Sequence, residues 1–345
     1  MENKQLIYVV CPNIKKPMGG IKQIYRLVDT LNLLGYEAYI LHGKKNFRVK
    51  WFENSTAIKY FPNLFAQLYS YTRKKKKLKV PLFLKQLVMD KKMPEKSSLI
   101  VFPEVYGLAM KDVVPENNVV IFNQNCYYTF DRYTPENVHK NGYLHPKTLG
   151  CIVVSDDSLN YVKHTFPNLD VFRMRLGLSK NFEYSATKKK QIAFMPRKLA
   201  EDFNQLFHIL NNRMDLSEWD FIAIDNMNED EVSKVLKDSA FFLSFNYREG
   251  FGLPPVEAMA CGCYVIGYAG KGGEEYFKDE FCSLIGDRDI IGFAKELEAK
   301  ILEYDQNPKR IDGKSKLASE YVLSVYNSQN EREDITSIWQ NILSN

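Results

Sequence analysis

Glu249 and Glu257, with seven residues between them, flank a glycine-proline turn in the stretch 248–262, REGFGLPPVEAMACG. Gly250 and Gly252 bracket Phe251, so the backbone can turn sharply and come close to a ligand. Pro254 and Pro255 suit a first helical turn, where no amide donor is needed. The unpaired N–H groups of such a helix start sit at the positive end of its dipole and attract phosphate or sugar oxygens. Glu257 falls inside the helix, ~6 Å along from Leu253 at ~1.5 Å per residue, and a carboxylate there can accept two hydroxyls of one ring. The set suits a polyol joined to an anion, which is the chemistry of a nucleotide sugar.

Strands and helices must hold these groups in place. The run 240–245, AFFLSF, is short, apolar and aromatic, as expected of a strand buried on both faces of a parallel sheet. Glu249 is expected past its carboxyl end. Residues 1–43 read as strand (6–11), glycine loop, helix and strand (36–41). Ile21, Ile24, Leu27, Val28, Leu31 and Leu34 recur at helical spacing, and Gly35 closes the helix. Gly19 and Gly20 therefore fall at a helix amino end, where their missing Cβ atoms let amides reach an anion; a plain turn is the other reading. The strand 191–195 leads into Arg197 and Lys198, and the strand 219–224 leads into Asn226 and Met227, followed by a helix with an acidic start. Strand 264–268 precedes Gly270-Lys271-Gly272-Gly273-Glu274-Glu275. Strands 99–102 and 119–122 precede Glu104 and Asn123-Gln124-Asn125, with Tyr127 just beyond.

On the stretch 249–262 the chain resembles family 4 of the retaining glycosyltransferases, a GT-B family among the glycosyl transferases group 1, whose members carry EGFGLPxxEAMAxG. The resemblance implies an α/β GT-B fold, with two Rossmann-like doubly wound domains facing a central cleft. Residues 1–176 would form the acceptor-side domain and 177–328 the nucleotide-sugar donor domain. The last segment, 329–345, with Ile335, Ile338, Trp339 and Ile342 on one face, would be a helix packing back on the first domain. It further implies that Glu249 binds donor-sugar hydroxyls, that Phe251, Gly252 and Leu253 offer backbone amides, and that Glu257 holds the ribose. Gly19 and Gly20 would lie near the donor phosphates, Asn226 and Met227 would meet the base through backbone, and Arg197 with Lys198 would grip the diphosphate.

Three departures accompany the resemblance. Leu176 stands where the family's NGVDxxxF turn has asparagine. The lysine lies next to Arg197 rather than several residues on, with Glu201 and Asp202 following. The histidine many members keep near the reaction centre is missing beside Asn123, Gln124, Asn125 and Tyr127. Those amides can hydrogen-bond sugar hydroxyls but cannot act as a base near neutral pH. Glu104 is the nearest comparable acid by topology, with a solvent-facing turn carboxylate as its plainer reading.

The chain's 345 residues, 45% hydrophobic and 13% aromatic, suffice for two α/β domains with substantial cores and argue against disorder. Charge is uneven: residues 1–150 carry 24 Lys and Arg against 11 Asp and Glu, the remainder 23 against 31. Much of the excess is Arg73-Lys74-Lys75-Lys76-Lys77, read either as a contact with an anionic membrane, at ~1 kcal/mol per basic residue, or as a solvated loop. No aromatic-basic motif points to nucleic acid. No apolar run approaches the ~20 residues of a membrane span, and no secretory signal opens the chain, so the expectation is cytoplasmic, with a peripheral place on the inner membrane face if the basic run binds there. The six cysteines show no C-x-x-C spacing and read as reduced packing residues. Asp287-Arg288-Asp289 has a metal-binding form, but GT-B enzymes do not use that device, and neither metal nor cofactor is expected.

The reading that follows is a metal-independent, retaining hexosyl- or deoxyhexosyltransferase. It moves sugar from a nucleotide-diphosphate donor to a glycan or lipid-linked acceptor, as in surface polysaccharide or glycoconjugate synthesis. The alternative is a non-catalytic sugar-nucleotide-binding subunit acting with a partner.

Overall fold

The structure, a computed structural model, describes residues 5–72 and 92–344. The basic run of Arg73, Lys74, Lys75, Lys76 and Lys77 lies outside the described residues. The chain divides into two compact units, one of Met1–Val154, Ser158–Met174 and Arg332–Asn345, the other of Ser155–Asp157 and Arg175–Glu331.

The first unit is built on β1 (Leu6–Val10), β2 (Glu37–His42), β3 (Ile58–Tyr60), β4 (Leu99–Pro103), β5 (Val119–Asn123), β6 (Thr148–Val153) and β7 (Val171–Arg173). They form one sheet in the order β3-β2-β1-β4-β5-β6-β7, and every pair is parallel. Parallel strands need crossovers that bury both faces, which is why β4, and β5 up to Phe122, are apolar and fully buried. Helices α1 (Gly19–Leu33), α2 (Pro62–Thr72), α3 (Met110–Val113) and α4 (Asp156–Thr165) accompany the sheet. The face of α1 read from spacing, Ile21, Ile24, Leu27, Val28 and Leu31, is buried. Winding reverses between β1 and β4. A crevice opens at such a point, because the two crossovers leave in opposite directions. The loop into α1 and the turn at Glu104 flank it.

The second unit contains β8 (Lys189–Phe194), β9 (Asp220–Ala223), β10 (Ser239–Glu249), β11 (Tyr264–Lys271) and β12 (Ser283–Leu284), in the parallel order β12-β11-β10-β8-β9. Its helices are α5 (Ala200–Arg213), α6 (Glu229–Asp238), α7 (Leu253–Ala260), α8 (Ile290–Gln306) and α9 (Pro308–Val325). Here the reversal falls between β8 and β10. Pairing with β11 continues past an irregularity between Asn246 and Glu249 to reach Lys271, so Glu249 is the last residue of β10 rather than a residue beyond it.

The segment 177–190 is packed into the second unit. Leu178 and Phe182 are buried, and Lys188 Nζ donates to the carbonyls of Leu236 (3.2 Å), Lys237 (3.0 Å) and Cys261 (2.7 Å). One ammonium thus satisfies carbonyls at the carboxyl ends of α6 and α7, where the helix dipoles favour a cation. The chain ends in α10 (Ser328–Ser344), and the division between units falls inside it. Ile335, Ile338, Trp339 and Ile342 are its buried stripe, and Trp339 meets Tyr36 of the first unit with ring centroids 6.3 Å apart.

Candidate active site

The second unit gathers most of the predicted residues at the carboxyl ends of β8, β10 and β11. Phe251 is buried between Tyr276 and Tyr326, with ring centroids at 5.2 and 5.0 Å; burial of such a side chain stabilises by ~1.5–3 kcal/mol and anchors the loop. The buried Tyr276 hydroxyl donates to the carbonyls of Phe251 (2.9 Å) and Gly252 (2.7 Å). In a trans peptide the carbonyl and the following N–H point in opposite directions. Both carbonyls face Tyr276, so the amides of Gly252 and Leu253 face away from it, and among the described residues neither these nor the Phe251 amide has a protein acceptor. Gly252 caps α7 at φ 85°, ψ 73°, and a Cβ there would stand 2.5 Å from Asn246 Nδ2. Only glycine adopts this turn without strain.

Glu257 lies on the first turns of α7, half-buried. Glu249 pairs with Lys198, their side chains 17% and 36% exposed. Burial and the adjacent Arg197 guanidinium lower the Lys198 ammonium to about 8, while contact with the Glu249 carboxylate favours its charged form. Arg197 is exposed and has no ion-pair partner among the described residues. Asn226 and Met227 lie between β9 and α6, and the capping box of Asn228 and Glu231 fixes where that loop ends.

A second mark of the site is backbone strain. Leu199 (φ 46°), Asn226 (φ 53°), Arg248 (φ 49°) and Lys271 (φ 67°) are left-handed residues other than glycine, and each stands at the carboxyl end of a strand of this sheet. Such residues cost ~1–3 kcal/mol apiece and concentrate at functional sites. By contrast, a hollow of 590 Å³ lined by Phe207, Met214, Trp219 and Phe221 sits at the amino end of β9, away from this chemistry.

Neighbouring acids have structural partners. Asp289 caps α8 by accepting from the Gly292 amide (2.8 Å), and Arg288 reaches Glu201 (3.3 Å) and Asp202 (3.5 Å). Of the D-x-D triplet, Arg288 and Asp289 are thereby engaged within the fold, and Asp287 is exposed. Of the two glutamates in the glycine-rich turn, Glu274 pairs with Lys271 at 2.8 Å, and Glu275 accepts from the Tyr326 hydroxyl at 2.8 Å.

In the first unit Gly19 opens α1 after Met18, and a Cβ on Gly20 would stand 2.7 Å from Gln124 Oε1. The Gln124 amide donates to Glu104 Oε2 at 3.2 Å. Gly20, Gln124 and Glu104 therefore form one row at the β1/β4 reversal. Glu104 is 6% exposed, which rules out the solvent-facing turn, and burial pushes its carboxyl up to about 7 against the lowering effect of the amide bonds. The remaining predicted residues there hold the loop. Asn123 Nδ2 donates to Thr129 Oγ1 and to the Tyr143 hydroxyl, both at 2.9 Å. Asn125 Oδ1 accepts from the Tyr127 amide at 3.1 Å, and Tyr127 packs edge-on against Tyr161. Tyr128 is the exposed member of that pair of tyrosines, at 46%.

Two residues escaped the sequence reading. Tyr276 lies 25 positions downstream of the loop it pins, and nothing local marks it. Asn246 is 6% exposed beneath Gly252, with no partner for Nδ2 among the described residues; a polar residue closing an otherwise apolar strand was the available signal.

Comparison with known proteins bears on this arrangement. Residues 219–317 match the family described as "Glycosyl transferases group 1". The chain is 28% identical over 232 residues to an alpha-1,6-glucosyltransferase of Actinobacillus pleuropneumoniae serotype 7, covering 62% of this chain and 68% of that protein. Among solved structures, the pneumococcal O-GlcNAc transferase GtfA in complex with UDP and GlcNAc superposes with a TM-score of 0.69 at 11% identity, with both chains fully covered. Sucrose-phosphate synthase from Thermosynechococcus elongatus gives 0.67 at 12%, over 99% of this chain and 100% of that one. Anabaena HepE in complex with UDP and glucose gives 0.62 at 13%, over 97% and 99%. At these identities the structural likeness speaks for the fold, and the sequence match speaks for the family. Taken together, they give residues 219–317 the sequence pattern of glycosyl transferases group 1 and the chain the GT-B fold of these solved structures.

Proposed function

We propose that the protein transfers a hexose or deoxyhexose, with retention of anomeric configuration and without a metal, from a nucleotide-diphosphate sugar to a glycan or lipid-linked acceptor. The work would be done on the cytoplasmic side, in surface polysaccharide or glycoconjugate synthesis. UDP-glucose is the first donor to try, because the curated relative is a glucosyltransferase and solved neighbours carry UDP. The observation that carries the reading is that the Lys198–Glu249 pair, Arg197, and amides at Phe251, Gly252 and Leu253 without a protein acceptor among the described residues all follow or end strands β8 and β10, between which the sheet reverses.

In this reading Arg197 and the α7 amides hold the diphosphate, Lys198 supports it, Glu249 accepts hydroxyls of the sugar, Glu257 holds the ribose, and Asn226 and Met227 border the base. Gly19 and Gly20 bring the α1 amides to the phosphates. Leaving-group charge is stabilised by cations and dipoles set in advance, each worth ~2.7–4 kcal/mol at the transition state. Glu104 and Gln124 face the acceptor, while Asn123, Asn125 and Tyr127 shape that loop. The departing phosphate takes the acceptor proton as the acceptor attacks the same face, which gives retention.

The test is nucleotide release from UDP-, GDP-, ADP- and dTDP-sugars with and without acceptor extract, followed by NMR assignment of the product anomer. Acceptor-dependent release and an anomer matching the donor are expected. Binding without turnover for every donor would move the protein to the non-catalytic subunit reading, and an inverted product would reject retention.

A further inference from the structure

Lys198 and Glu249 belong to different crossovers of the second unit, yet their side chains meet. The inference drawn from this rests on the donor reading above. Lys198 is half-buried, Arg197 is its neighbour in sequence, and Glu249 is its only ion-pair partner among the described residues. An ammonium in that setting needs a negative counter-charge, since a partly desolvated ion left alone is strongly disfavoured. The acids that follow Lys198 in sequence face another cation: Glu201 and Asp202 lie 3.3 and 3.5 Å from Arg288.

A sugar that brings its hydroxyls to the Glu249 carboxylate competes with Lys198 Nζ for the same oxygens. Hydroxyls are neutral and cannot replace the counter-charge that Lys198 would lose. A diphosphate can, and the free amides at the start of α7 would draw one to the same end of the sheet. We infer that the Lys198–Glu249 ion pair is an exchange lock: a sugar gains Glu249 only when a diphosphate takes over Lys198, so the site accepts a sugar joined to or accompanied by a diphosphate and refuses the free monosaccharide. Lys198 is in this sense a positioning residue that acts through Glu249. The lock selects for intact donor over free hexose, which matches it in every hydroxyl but the linked one.

The lock makes the two halves of the donor thermodynamically coupled, and coupling is measurable with the halves supplied separately. Glucose binding is followed by ligand-observed NMR with and without saturating UDP, after calorimetry with UDP and UDP-glucose. In the wild-type protein UDP should tighten glucose binding at least ~tenfold; in Lys198→Gln, where the carboxylate is open with or without UDP, the effect should drop below ~twofold, with glucose alone bound more tightly than by wild type. Lys198→Arg, which keeps a cation against Glu249, should retain the coupling. Glucose binding that ignores UDP in the wild type, or equal coupling in wild type and Lys198→Gln, overturns the lock. If UDP and UDP-glucose both fail to bind the wild type, the donor reading falls first and the lock with it; if they bind and the coupling is unchanged by substitution, the lock alone is wrong.

Discussion

Each of the two sheets reverses its winding once, and at each reversal a carboxylate stands beside a helix amino end, but the two acids live in opposite surroundings. Glu249 touches an ammonium, and nearby in the chain are a guanidinium and three amides without protein partners among the described residues. Glu104 is buried with amide donors alone, Gln124 N–H and its own, and burial lifts it to about 7. The first setting favours charge and suits an anionic ligand. The second holds a carboxyl near the point of half-ionisation and suits neutral hydroxyls, to which it can donate or from which it can accept. One fold, repeated, thus offers two chemistries because the residues at the strand ends differ.

The sharpest way to break this contrast is at Gly252. Gly252→Ala puts a Cβ where φ is 85° and Asn246 Nδ2 is 2.5 Å away, so the turn must change and its amides move. Turnover of the donor should fall on the order of a hundredfold or more, measured by nucleotide release, with far-UV circular dichroism unchanged. Activity within a few fold of wild type would show that the amides are not part of the site. Next comes Arg197→Ala. The group is exposed and has no ion-pair partner among the described residues, so its loss should leave stability alone and lower kcat about a hundredfold, with KM little altered; an effect confined to KM would assign it to uniform binding. Glu257→Ala should weaken donor affinity about ten- to hundredfold by calorimetry, the loss of hydrogen bonds to a charged group, and unchanged affinity would remove the ribose assignment.

How much of this could be read beforehand follows from where each cause lies in the chain. The α/β class was legible because parallel strands buried on both faces are mostly apolar runs, as in 240–245 of β10, and because α1 shows its buried face at helical spacing. The α7 turn was legible because Gly252 and the two prolines are local requirements of the backbone. The Lys198–Glu249 contact was not, because strands 50 residues apart become neighbours only through the sheet order. Nor were the left-handed Leu199, Asn226, Arg248 and Lys271, since nothing but surrounding structure forces such residues into that region. Glu104 read as a surface turn because the segments that bury it arrive later in sequence: Gln124 comes 20 residues on.

The smallest effect expected separates the two carboxylates by pH. Glu104 has its folded value raised from 4.5 to about 7. Between those limits the folded acid keeps its proton and the unfolded one has lost it, so the folded chain binds more protons and rising pH favours unfolding. The stability tied to the protonated carboxyl is therefore intact below about 4.5 and is lost as pH climbs through 7. From pH 5 to 8 this amounts to about 2 kcal/mol. His42 works against it from the acid side: buried, donating from Nδ1 to the Cys11 carbonyl and paired with the Tyr25 hydroxyl, it is lowered to about 4. Its contribution is present above 6.5 and is lost as pH falls toward 4. In Glu104→Gln only the alkaline loss should vanish. The variant's unfolding midpoint should hold nearly level from pH 6.5 to 8, where the wild type's falls by about one to two degrees. Matching slopes for the two proteins would mean that Glu104 titrates normally, and its proposed place facing the acceptor would lose the property that distinguishes it from Glu249.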